Sequence, residues 1–188
     1  KQMLGLRHPD FRMRDVEMVI RFFAFRYFIE QYDGNLKNFF DNTVRILNAE
    51  WNFRKDRIIE DARQLENAID LTFQIFDVRD AFSKWNGTSF QGKFNRAVFD
   101  IITFYFSNPQ IRDLAQLRKE EIRESFITIS QNDEAFRNSI EQTTKSLQNT
   151  GYRFKIWGEQ LAAIIHHNIE VPVLQPNNRM IFQMTTNA

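Results

Sequence analysis

The stretch Arg14-Asp15-Val16-Glu17-Met18-Val19-Ile20-Arg21-Phe22-Phe23-Ala24-Phe25-Arg26-Tyr27-Phe28 decides the class of fold. Val16, Ile20, Phe23 and Tyr27 recur at helical spacing, and Val19, Phe22, Phe25 and Phe28 fill the neighbouring stripe, so a helix here is apolar nearly all round. Such a helix belongs in the centre of a bundle. The Asp33-Gly34 pair that follows is a C-cap signal and marks its end.

Outward from this helix the same period continues. Asn35 can cap a second helix carrying Leu36, Phe39, Phe40, Val44 and Leu47, and a third spans about 56–77 with Ile58, Ala62, Leu65, Ile69, Phe73 and Phe76 on one stripe. Glu60, Asp61, Arg63 and Glu66 read as its solvent side. The Asn86-Gly87 pair reverses the chain. Phe94, Ala97, Val98, Ile101, Ile102 and Tyr105 then mark a second heavily apolar helix, closed by Asn108-Pro109, which opens the next. Ile122, Phe126 and Ile129 carry another helix. Asn132 can cap one running through Phe136, Ile140 and Leu147 to Asn149-Thr150-Gly151, and Phe154, Trp157 and Leu161 mark the last. After Ile169 the periodicity is lost. The expectation is an all-α, single-domain bundle of about six or seven helices over residues 1–169, with the Arg14 and Phe94 helices buried, and an irregular, extended tail over 170–188.

Composition agrees with this reading. The chain has 188 residues, 43% hydrophobic and 26% charged, the proportions of a folding domain rather than a disordered one. Six glycines and four prolines are too few for turn-rich all-β architectures, and no proline stands between positions 9 and 109. Twenty phenylalanines supply large rings without a polar handle. The absence of cysteine excludes disulfides, a thiolate nucleophile and Cys-ligated metal, and favours a reducing, cytoplasmic compartment. A net charge of +1 gives no bulk field towards nucleic acid or an anionic membrane. Arg21, Arg26 and Glu30 interrupt the richest apolar run, so no membrane span is expected. The start, Lys1-Gln2-Met3, shows neither a signal peptide nor an initiator Met, and the chain is expected to be a piece of something longer.

Few residues suggest chemistry. His166-His167 are neighbours about 100° apart on a helix and cannot grip one metal from one face; His8 stands alone. Arg14, Glu17 and Arg21 form a basic-acidic-basic line on the apolar helix, flanked by Arg12 and Asp15. Either this line pairs within the helix and with a neighbour's carboxylate, or one arginine is left to hold a phosphate. Trp51 and Phe53 with Arg54, Lys55 and Arg57 make the best basic and aromatic group, a candidate nucleic-acid contact diluted by Asp56; the plainer reading is a helix-linking segment. Tyr152-Arg153-Phe154-Lys155 is a weaker case of the same kind. No nucleotide-binding or hydrolase motif is present, and no catalytic residue, cofactor or metal site is assigned.

The residues Arg12-Met13-Arg14-Asp15-Val16-Glu17, Arg21-Phe22-Phe23-Ala24, Tyr32-Asp33-Gly34 and Phe39-Phe40, followed by Phe94-Asn95-Arg96-Ala97-Val98-Phe99-Asp100, carry a resemblance. Phe126, Phe136 and the stretch from Thr143 to Phe154 continue it, so that it covers about residues 6–165. The chain resembles the helical part of the ParB-like N-terminal family of GmrSD-type modification-dependent restriction endonucleases. The resemblance implies a parent that acts on foreign DNA with NTP hydrolysis. In that family an Asp-Gly-Gln-Gln-Arg type motif in a preceding ParB-like α/β region carries the nucleotide chemistry. Neither that motif nor a His-Asn-His type nuclease is found here. The implied role is therefore a non-catalytic structural or effector-binding helical domain, partnered by the missing ParB-like region and reaching DNA through the parent. Arg12, Asp15, Glu17, Arg21, Asn95 and Asp100 match the family's polar anchors and are expected to serve packing between helices or domains. The alternative is a self-contained nucleic-acid-binding or protein-interaction module.

Overall fold

The computed structural model describes residues 13–186 and is mainly helical. Among the described residues there are eight helices and two small antiparallel hairpins. The first helices are α1 (Arg14–Phe28), α2 (Leu36–Ala49) and α3 (Trp51–Asp80), and the hairpin of β1 (Ser83–Trp85) and β2 (Phe90–Phe94) follows. Then come α4 (Arg96–Phe106), α5 (Pro109–Gln116), α6 (Lys119–Asn132), α7 (Glu134–Glu141) and α8 (Leu147–Ile165), and finally the hairpin of β3 (Glu170–Leu174) and β4 (Met180–Met184). No described helix is long and apolar enough to cross a membrane.

α4 is the buried member as expected, but α1 is buried mainly over its second half, with Val16 and Val19 exposed, and α8 buries more of its length than α1. Five apolar residues of α1, from Met18 to Phe25, and nearly all of α4 are withdrawn from solvent. Side-chain caps fix several helix starts: Asn35, Asn95, Asn108, Asp133 and Ser146 each accept backbone N–H groups of the following turn. The phenylalanines assemble into ring clusters. Phe25 meets Tyr32, Phe39 and Phe154, while Phe126 meets Phe76, Phe90, Phe136 and Trp157. The edge-to-face pairs among them, such as Phe25 with Tyr32 and Phe126 with Phe76, Phe136 and Trp157, each add roughly 0.5–1.5 kcal/mol beyond the area they bury.

Three further expectations are corrected. The fold is mainly helical rather than strictly all-α, because the Asn86-Gly87 turn closes a short ladder: the Asn86 side chain accepts the backbone N–H groups of Thr88 and Ser89. The tail is not irregular. Val171 and Met180 are buried, and the turn at Gln175-Pro176-Asn177-Asn178, with Asn178 left-handed at φ 59°, pairs β3 with β4 in continuous register. The helix count is eight because residues 132–151 do not form one helix: α7 stops at Glu141, and Ser146 caps a new start. Thr150-Gly151 then lies inside α8 instead of ending a helix.

Gly151 and Gly158, two turns apart on α8, explain how the tail is held. Leu174 Cβ comes within 3.1 Å of where a Gly151 Cβ would be, and a Cβ on Gly158 would collide with Tyr105 Oη and Val171 Cγ1. The absence of two methyl groups lets β3 run close along the helix.

Candidate functional site

The central polar feature is buried and joins three helices. Arg21 on α1, Asp100 on α4 and Arg153 on α8 are 4%, 2% and 1% exposed. Arg21 donates two hydrogen bonds to the Asp100 carboxylate, Nε to Oδ1 at 2.9 Å and Nη2 to Oδ2, a bidentate fork. Arg153 Nη2 lies 3.7 Å from the same Oδ2, and its Nη1 donates to the Thr144 carbonyl at 2.7 Å. Burial opposes the charge on both arginines. For Arg21 the attraction and hydrogen bonds of Asp100 outweigh that cost, so its pKa rises. Arg153 has the weaker share of the carboxylate and is repelled by Arg21, and its pKa is pushed down to about 10.

The charge continues to the rim. Glu17, one turn before Arg21, lies 3.9 Å from its Nη1 and accepts from Arg96 Nε of α4 at 3.1 Å. The neighbour's carboxylate that the Arg14-Glu17-Arg21 line calls for is Asp100. Arg21 is thereby committed to protein groups rather than to a phosphate. Asn95 has two jobs: its Oδ1 accepts the N–H groups of Ala97 and Val98 at 2.8 and 3.0 Å, and its Nδ2 donates to the Ile140 carbonyl at the end of α7. Asp15 accepts the adjacent Val16 N–H at 3.0 Å. Arg12 and His8 lie outside the described residues.

A second polar centre was not legible as one. Asp61 of α3 is buried rather than on the solvent side, and accepts from Arg26 Nε at 3.0 Å and from Tyr27 Oη, both on α1. Arg26 also donates to Ser107 Oγ at 3.0 Å. Burial and the bond to Asp61 hold Tyr27 up at about 12. Periodicity could have raised the case for Asp61, which sits at the edge of the Ile58 and Leu65 stripe. The sequence gives no sign that its partner is Arg26. The reading of Tyr152-Arg153-Phe154-Lys155 as a weaker basic and aromatic contact does not hold for Arg153, which is among the least exposed side chains of α8.

The basic and aromatic group is the start of α3 and not a linker. Residues 51–57 form its first two turns and are all exposed, together with most of the end of α2, so this helical corner projects from the core. Phe53 is 91% exposed. By helical spacing Trp51, Arg54 and Lys55 fall on the Ile58 side of the helix, and Phe53 and Arg57 on the other. Two of the cations are engaged: Arg54 with Glu50 at 3.1 Å and Arg57 with Asp61 at 3.8 Å, the latter over the Tyr27 ring.

The two C-terminal histidines are separated. His166 lines a cavity of about 630 Å³ between α8 and the β3–β4 hairpin, while His167 lines one of about 340 Å³ on the α4 and α5 side, with Arg26 and Phe182. Among the described residues no three His, Cys, Asp or Glu side chains converge as a metal site. No protein-family description, curated protein or solved structure matches the chain.

Proposed function

We propose that this chain is the non-catalytic, structural or effector-binding helical domain of a larger ParB-like, GmrSD-type restriction protein that acts on foreign DNA with NTP hydrolysis in a preceding region. One observation supports this reading most. Of the residues that carry the resemblance, Glu17, Arg21, Asn95 and Asp100 spend their polar atoms fastening helices to one another: α1 to α4, α4 to α8, and α4 to α7. Asp100 and Arg21 are closed to any substrate by burial. Groups shared for such a purpose keep a scaffold in one shape, against which a reactive region can be oriented.

The test is reconstitution. The purified chain should neither hydrolyse NTPs nor cut DNA, and hydrolysis should appear when the region encoded before Lys1 is included and vanish when its Asp-Gly-Gln-Gln-Arg type motif is changed. Turnover by the chain alone, or a parent with no such motif, contradicts the proposal. The projecting corner at Trp51, Phe53, Arg54, Lys55 and Arg57 favours the second reading, a nucleic-acid or protein contact. A gel-shift titration with no salt-sensitive binding at micromolar protein removes its nucleic-acid form.

A further inference from the structure

We infer that Asn86 is a site of spontaneous modification, at which the hairpin turn itself promotes loss of the side-chain amide and leaves an aspartate or isoaspartate in its place. The inference does not rest on the reading above, and its failure leaves that reading standing.

Such a reaction needs a free nucleophile, a free leaving group and donors for the charge that develops between them. The turn supplies each. Gly87 N–H, the nucleophile, lies outside both strands and makes no hydrogen bond among the described residues. A Cβ on Gly87 would meet nothing within 4 Å, so the approach is open, and with φ at 102° the position suits glycine alone. Asn86 Nδ2, the leaving group, likewise has no hydrogen bond among the described residues, and residues 86–89 are exposed. Asn86 Oδ1, by contrast, accepts from three donors: the Thr88 N–H at 3.0 Å, the Thr88 hydroxyl at 3.0 Å and the Ser89 N–H at 2.9 Å. Bonds to an oxyanion are roughly twice as strong as bonds to a neutral amide oxygen, so these donors favour the transition state over the ground state.

Gly87 N gives its proton to hydroxide and bonds to Asn86 Cγ, whose oxygen takes the negative charge. As that charge returns, the Cγ–Nδ2 bond breaks, and Nδ2 leaves as ammonia with a proton from water. Water then opens the cyclic imide at either carbonyl, giving aspartate or isoaspartate. Asn35, Asn95 and Asn108 also accept backbone N–H groups through Oδ1, but they stand at helix starts before Leu36, Arg96 and Pro109. Side chains there crowd the attacking nitrogen, and Pro109 has no N–H to lose. Asn-Gly occurs once in the chain. Either product adds a negative charge, and isoaspartate also moves a methylene into the main chain between Trp85 and Phe90, whose pairing and ring contact at 5.2 Å close the hairpin.

The experiment uses the intact chain, held folded at mildly alkaline pH and followed by peptide mass spectrometry with an isoaspartate assay. The small mass gain of amide-to-acid exchange should collect on the peptide holding Asn86 ahead of every other asparagine. Thr88→Ala removes the hydroxyl donor and keeps both N–H donors, and should slow the loss by about threefold to tenfold, the worth of one hydrogen bond. In denaturant the turn is gone, and the same substitution should make no difference. An Asn86 that keeps its amide or converts no faster than the other asparagines, a folded Thr88→Ala chain that reacts as fast as wild type, or an equal slowing by Thr88→Ala in the unfolded chain would each overturn the inference.

Discussion

Asp100 holds two guanidinium groups on one carboxylate, with a third charge pair at Glu17 and Arg96 on its rim. A buried ion pair adds little to stability in itself, since desolvation offsets attraction, but it penalises any arrangement that leaves a member alone. Of the four tyrosines, Tyr32 and Tyr105 are buried and Tyr27 and Tyr152 half-buried. Burial raises all of them, Tyr27 and Tyr152 to about 12 with help from Asp61 and Asp133, and Tyr105 furthest. An acid with a raised folded pKa stabilises the fold fully below its ordinary value near 10, and that contribution is lost as pH climbs towards 12. Arg153, lowered to about 10, works in the opposite direction over the same interval, one group against four. In an alkaline titration, phenolate absorbance should therefore appear at higher pH in the folded chain than in the denatured chain, where tyrosine ionises near about 10. Two or more tyrosines ionising near 10 in the folded chain would refute this. Asp100 and Asn95 were legible only as residues that match the polar anchors of the resemblance. Arg153 was not, because Tyr152 and Lys155 beside it give a basic local context that says nothing of what packs above α8.

At the scale of elements, α4 was readable as a central helix because it is apolar on more than one face, whereas the same pattern overstated α1, whose Val16 and Val19 are exposed. The C-terminal hairpin was not readable. Its strands are five residues each, Pro172 interrupts the first, and a run this short has no period that separates a strand from a loop. What fixes it lies on α8, where Gly158 leaves room for Val171 and for Tyr105, whose Oη donates to the Phe154 carbonyl at 2.7 Å. Gly158→Ala should force Val171 out or break that buried bond, at about 3 kcal/mol from overpacking and a lost hydrogen bond. Chemical denaturation would measure it, and Val171→Ala in the same chain should return part of the loss. A Gly158→Ala chain within about 0.5 kcal/mol of wild type, roughly the scatter of surface substitutions, would show that the hairpin does not depend on this contact.

Over the whole molecule, the apolar core is one continuous cluster of rings and aliphatic side chains, and the polar centres cross it at defined points. Rings give cohesion with little direction. The fork from Arg21 to Asp100 and the reach of Arg153 to the same oxygen supply direction, because α1, α4 and α8 can share that carboxylate in few orientations. The mainly helical class followed from periodicity and the scarcity of glycine and proline, while the contacts that orient the helices depend on pairs 53 to 79 residues apart, as the separations of Asp100 from Arg153 and Arg21 show, and no local pattern encodes them. The most direct test is native-state hydrogen exchange on Asp100→Asn. Losing the charge strands two buried guanidinium groups, which should cost about 3 kcal/mol, or on the order of a hundredfold faster exchange. The account predicts that amides of α1, α4 and α8 lose protection together by that factor. Loss confined to α4, or protection unchanged in all three helices, would contradict it.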